Sequence, residues 1–192
     1  MQKIEEIVSK LGGIVHIGQL ESKALGQRII RAEKRGSLVR LRKGVYALPE
    51  TLASTMIDVE SIIPGGVVCL YSALRYHRLS TQVPSATCVA IAANRKIQLP
   101  DFPVINLYYW KPEFLKIGVK SVETDGKVML ITDLERTVCD VIRYRNKMGL
   151  DVCGEVLNNY LARPERNIGL LNTYARQLRI HKTLTQYMET RL

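Results

Sequence analysis

The sequence predicts an α+β protein: a small N-terminal unit of helices and a basic β-hairpin, then a larger mixed sheet-and-helix domain that closes in a helical run. Three observations carry that class. Helical spacing opens the chain and gives way, between Leu38 and Leu48, to strand-type alternation around a Lys43-Gly44 turn. Short β-type runs punctuated by Pro and Gly fill residues 87–131. From Thr132 onward the apolar spacing is helical again.

Taken in order, Ile4, Ile7, Val8 and Leu11 form the apolar stripe of a first helix, which Gly12-Gly13 ends. "GIVHI" is a short β-type run. "GQLESKAL" reads as a short second helix and "GQRIIRAEKRG" as a third, stopped by Gly36. At about 100° per residue, Gln27, Arg28, Arg31, Lys34 and Arg35 fall within about 120° of one another on this third helix. Leu25, Ile29 and Ala32 occupy the far side, so one face packs down and the other presents one amide and four cations. In the hairpin, alternation puts Arg40 and Arg42 on one face with Lys43 at the tip. Helix, short helix, basic helix and basic hairpin is the order of a winged helix-turn-helix. There the second helix of the turn enters the major groove and the hairpin reaches neighbouring backbone or minor groove.

Residues 1–50 are therefore the expected DNA-binding domain, residues 51–66 a connecting helix and linker ending at the Pro64-Gly65-Gly66 hinge, and residues 67–192 the second domain. In that domain "VVCLYSALRYHRLS" has helical spacing, and "TCVAIA", "VINLYYW", "KSVE" and "KVMLI" are strand-like. "TDLERTVCDVIRYRNK" opens on a capping box of Thr132 and Glu135, and two further helices and an amphipathic tail follow. Along the capping-box helix Arg136, Asp140 and Arg143 make a charged stripe, continued by Arg145, Asn146 and Lys147. Two readings stay open for it. One is an ion-pair lattice on a solvated face; the other is a surface for an acidic partner or nucleic acid, carried by Arg136, Arg143, Arg145 and Lys147.

The net charge of the 192 residues is +10, and +7 of it sits between Lys23 and Lys43, where eight basic residues meet a single acid, Glu33. A block of one sign points to a polyanionic partner, whereas a solvated face mixes its charges. No apolar run approaches the roughly eighteen residues of a membrane span, and the acid-bearing N-terminus is unlike a signal peptide. Cys69, Cys88, Cys139 and Cys153 stand singly in apolar surroundings, as reduced core residues of a cytoplasmic protein do.

Enzymatic motifs are sparse. His16, His77 and His181 lie far apart without metal-pair spacing, no phosphate-cradling glycine loop or nucleophile elbow occurs, and Cys139 falls within a helix stripe. Neither a metal nor a cofactor is expected. One arrangement loosely resembles the PD-(D/E)xK nucleases: Asp101, then Asp125-Gly126-Lys127 before a strand, where two acids would hold a divalent ion and the lysine assist the attacking water. "TDGK" is also what a hairpin turn looks like.

"GGIVHIGQL", "RIIRAEKRGSLVRLRKGVYAL", "SALRYHRLSTQVP", "ERTVCDVIRYRNKMGLD" and "EVLNNYLA" together resemble the AbiEi family of bacterial antitoxins from type IV toxin–antitoxin systems. The resemblance covers most of the chain, with Gly36 to Tyr46 and the "RTVCDVIRYRNK" block its most recognisable parts. It implies an N-terminal winged helix that represses its own operon and a C-terminal domain needed for antitoxicity. It also implies a place in abortive infection, an antiviral defence, and a functional link to a nucleotidyltransferase-like toxin encoded next door.

The expectation is a non-enzymatic cytoplasmic repressor and antitoxin, bound to double-stranded promoter DNA and paired on an inverted-repeat operator. Gln27, Arg28 and Arg31 are expected to read base edges, because Arg pairs bidentately with guanine and Gln with adenine. Lys34, Arg35, Arg40, Arg42 and Lys43 are expected to hold phosphates, which set register and affinity. The alternatives are a metal-dependent nuclease steered by the winged helix, and a winged-helix adaptor with no antitoxin role whose basic segment binds an acidic protein.

Overall fold

Two β-sheets, one in each half of the chain, stand back to back across a shared apolar core. A computed structural model describes residues 3–20, 22–49, 51, 58–82, 85–100, 103–124 and 126–189. Helix α1 (Ile4–Lys10) buries Ile4 and Val8. Gly12 and Gly13, with φ of 87° and 80°, turn the chain back through the left-handed region. Strand β1 (Ile14–His16), a single 3-10 turn (Ile17–Gln19), helix α2 (Lys23–Lys34), strand β2 (Val39–Arg42) and strand β3 (Val45–Ala47) follow.

Where the residue pattern predicts two helices after β1, there is one turn and one longer helix. Ser22 decides the start of α2: its hydroxyl accepts from Leu25 N at 3.4 Å, inside the segment expected to be the second helix. Gly26 does not interrupt α2, because it lies against the turn; a β-carbon there would sit 3.2 Å from Ile17 Cγ2. Gly36 closes the helix as expected, with Ser37 N donating back to Ala32 O at 3.0 Å. Strand β3 lies between β1 and β2 and is antiparallel to both. One face of this sheet, with Val15 and Tyr46, packs on Ile4, Val8, Ile29 and Ala32 of the two helices. The other, with Leu41, Val45 and Ala47, turns toward the second half of the chain.

That half begins with helix α3 (Val59–Ile62), strand β4 (Val67–Val68), helix α4 (Leu70–His77) and strand β5 (Thr87–Ala92). Strand β6 (Ile105–Trp110), a 3-10 segment (Pro112–Lys116), and strands β7 (Val119–Thr124) and β8 (Lys127–Thr132) come next. Helices α5 (Leu134–Arg143), α6 (Arg145–Met148), α7 (Leu150–Leu161), α8 (Ile168–Gln177) and α9 (His181–Glu189) complete it. The five strands lie in the order β6-β5-β4-β8-β7. β4 is parallel to β8 and antiparallel to β5, β5 is parallel to β6, and β7 is antiparallel to β8, so the sheet is mixed and the fold α+β.

Strand alternation assigns the two faces. Cys88 and Ala90 of β5 point into a layer that takes Leu74, Val138, Met148, Leu157, Leu171 and Leu184 from α4 to α9. Val89 and Ile91 point the other way, onto α3 and the N-terminal sheet. Residues 52–57 of the expected connecting helix lie outside the described residues, and the described part is no free tether: Val59, Ile62 and Ile63 are at most 5% exposed. Asp133, not Thr132, caps α5, its Oδ1 accepting from Arg136 N at 2.8 Å. Thr132 still belongs to β8, and Glu135 Oε1 accepts from Asn167 N and the Tyr160 hydroxyl instead of reaching back to a cap. Among the described residues no helix is long and apolar enough to cross a membrane.

Candidate nucleic-acid interface

Helix α2 sorts its residues as its wheel requires. Gly26, Ile29 and Ala32 are buried, while Gln27, Arg31, Lys34 and Arg35 are exposed and Arg28 half-buried. Two grooves flank this outward face. Arg28, Arg31 and Arg35 line one of about 650 Å³, whose opposite wall is Lys3, Ile4 and Glu5 of the α1 end. Glu33 and Gly36 reach the other, of about 820 Å³, which runs along the hairpin. Glu5 is an acid set among the cations, invisible to a reading of α2 alone because another helix supplies it. Hydrogen bonds from its own backbone N–H and from the Ser37 side chain hold its carboxyl below the ordinary range, with a smaller pull from Arg35.

The hairpin departs from the expected alternation. Arg40 pairs with Tyr46 but Arg42 pairs with Val45, so a bulge falls between them. Tyr46 and Val45 are adjacent in β3 and point to opposite faces, and the two arginines therefore do as well. Arg40 is exposed on the α2 side of the sheet, and Lys43 is exposed at the turn. Arg42 is half-buried toward the second domain, where its Nε donates to Ser61 O at 2.6 Å. The turn is itself held down, Ile17 N donating to Gly44 O at 2.8 Å.

No family model matches the chain, and no curated protein is significantly similar to it.

The second group of basic residues fares differently. Arg136, expected on a surface, is 0% exposed, as is Asp140. Its Nε donates to both Asp140 oxygens at 2.9 and 3.0 Å, and its Nη1 to the carbonyls of Phe114 and Ile117 at 2.7 and 2.5 Å. The guanidinium lies 4.5 Å from the centre of the Trp110 ring. Burial lifts the Asp140 carboxyl to about 6, against the opposing pull of Arg136. Arg143 stacks over Phe114 at 4.5 Å, and Arg145 Nη1 donates to Ile142 O at 3.3 Å, both half-buried. Of the four, Lys147 alone is exposed, its ammonium 6.0 Å from the centre of the Tyr144 ring. Arg136 and Asp140 are an internal brace, because the 3-10 segment and β6 cover them.

Cys69, Cys88, Cys139 and Cys153 are buried free thiols, and burial raises Cys69, Cys88 and Cys139 above the ordinary thiol range, away from nucleophilic use. His77 Nε2 donates to Thr132 O at 2.8 Å, and burial lowers its pKa. Among the described residues no three His, Cys, Asp or Glu side chains are grouped to hold a metal ion. Asp101 and Asp125 of the nuclease pattern lie outside the described residues, and Lys127 opens β8, half-buried.

Proposed function

We propose that this protein binds duplex DNA through its N-terminal unit and acts as an autoregulating antitoxin of a type IV toxin–antitoxin system. One observation carries the DNA-binding part: a single exposed helix face holds Gln27, Arg31, Lys34 and Arg35 beside a hairpin that exposes Arg40 and Lys43. The helix α2 followed by the β2–β3 hairpin, in a sheet of order β1-β3-β2, supports a winged helix whose first turn helix is reduced to Ile17–Gln19. In this reading Gln27, Arg28 and Arg31 meet base edges, and Lys34, Arg35, Arg40 and Lys43 hold phosphates. Arg42 braces the hairpin. The antitoxin role rests on the resemblance of residues 12–20, 28–48, 72–84, 135–151 and 155–162 to the AbiEi family, which implies a functional link to a nucleotidyltransferase-like toxin encoded next door.

The test is fluorescence anisotropy with the gene's own upstream duplex and a scrambled one. Arg31→Ala narrows the gap between the two affinities, while Arg40→Ala weakens both equally and makes the log–log salt dependence shallower by about 0.9. A double Arg31/Arg40 variant that binds like the unaltered protein rejects the groove assignment. Failure of a gel shift at low salt favours a protein partner instead. Co-expression with the neighbouring toxin tests antitoxicity separately.

A further inference from the structure

We propose that the DNA footprint does not end with the N-terminal unit, and that Arg95 and Lys96 of the second domain are phosphate contacts for the same duplex. This rests on the DNA-binding reading above. The groove of about 820 Å³ lies between the outer strand of the hairpin, β2, and the loop that follows β5. Among the described residues four cations line it, Arg40, Arg42 and Lys43 from the hairpin and Arg95 from the loop, against one acid, Glu33. Such a balance suits a polyanion, and the apolar floor of Ile62, Ile97 and Leu99 is a low-dielectric wall that focuses the field of the rims.

Arg95 is placed, not loose. Its Nη1 donates to Pro64 O at 2.6 Å, and Arg42 on the facing wall donates to Ser61 O of the same short segment. Both walls are therefore fastened to one short piece of backbone, Ser61 to Pro64, whose intervening Ile62 and Ile63 are buried in the shared core. Lys96, next in the chain, is exposed. The groove is also continuous with the end of α2 through Glu33 and Gly36. A backbone gripped by Arg40 and Lys43 at one rim meets Arg95 at the other. An extended acidic peptide has the same sign of charge, but the continuity with the C-terminal end of α2 favours the duplex.

The experiment compares full-length Arg95→Ala/Lys96→Ala, Lys96→Glu and Arg95→Lys with the unaltered chain, on upstream and scrambled duplexes over a range of salt. The double alanine variant is expected to weaken both duplexes several-fold and to make the salt slope shallower by about 0.9 for each phosphate it no longer neutralises. Lys96→Glu, at an exposed position, gives the same direction with an unchanged urea midpoint, and Arg95→Lys retains most of the slope. Unchanged affinity and slope in the double variant and Lys96→Glu, with Arg40→Ala still weakened, overturns this proposal and leaves the DNA reading standing. An unaltered protein that binds no duplex at low salt overturns both. Amide signals at 95–99 that move with an acidic peptide but not with duplex also overturn it.

Discussion

Arg136 makes four hydrogen bonds without any exposure to water: two to Asp140, one to Phe114 O and one to Ile117 O. Truncating it leaves a carboxylate and two carbonyls buried and unpaired, so Arg136→Ala should lower the unfolding free energy by about 3–5 kcal/mol. Removing both charges, as Arg136→Met with Asp140→Leu, should recover part of that loss, since the uncompensated ion is then gone. Urea denaturation of these two variants and of Lys147→Ala checks the order. A single substitution no more costly than Lys147→Ala would show that the brace contributes nothing. The residue pattern cannot disclose this role. A helix wheel reports that Arg136 and Asp140 share a side, but Trp110 and the two carbonyls that cover that side come from β6 and the segments around the 3-10 helix, which no spacing along α5 can indicate.

The elements themselves were largely legible. Strand β5 spans Thr87–Ala92, the residues of its strand-like run, and β8 differs from its predicted run by one residue. The departures come where a single side chain or one extra residue outweighs periodicity: Ser22 moves the start of α2, Asp133 takes the cap of α5, and the bulge at Arg40–Arg42 reverses one arginine. The hairpin gives the sharpest separation between a brace and a phosphate ligand. Arg42→Ala removes the bond to Ser61 O and should lower stability by about 1 kcal/mol while changing the salt slope little. Arg40→Ala, at an exposed site, should do the reverse. Measuring both quantities for both variants tests the assignment, and a matched loss of slope in the two would return Arg42 to the phosphate-binding set.

At the scale of the whole molecule, charge was readable in outline and the joining of its halves was not. A focused block of cations follows from counting along the chain, but the groove that adds Arg95 needs residues 40–43 and 95 to meet across some fifty positions. The same fold makes the halves energetically one. Leu41, 1% exposed, belongs to the N-terminal sheet yet packs in a core with Val89, Ile91, Met129 and Ile131 of the second. Leu41→Ala leaves a cavity in that shared core and should cost about 2–5 kcal/mol. The single tryptophan, Trp110, is buried on the opposite face of the second sheet, so its fluorescence reports on that half alone. If the core couples the halves, Leu41→Ala lowers the denaturation midpoint seen by Trp110 as much as the midpoint seen by far-ultraviolet circular dichroism. A Trp110 transition left in place while the dichroism splits into two steps would mean that the N-terminal unit unfolds on its own, and the fixed groove between them would lose its basis.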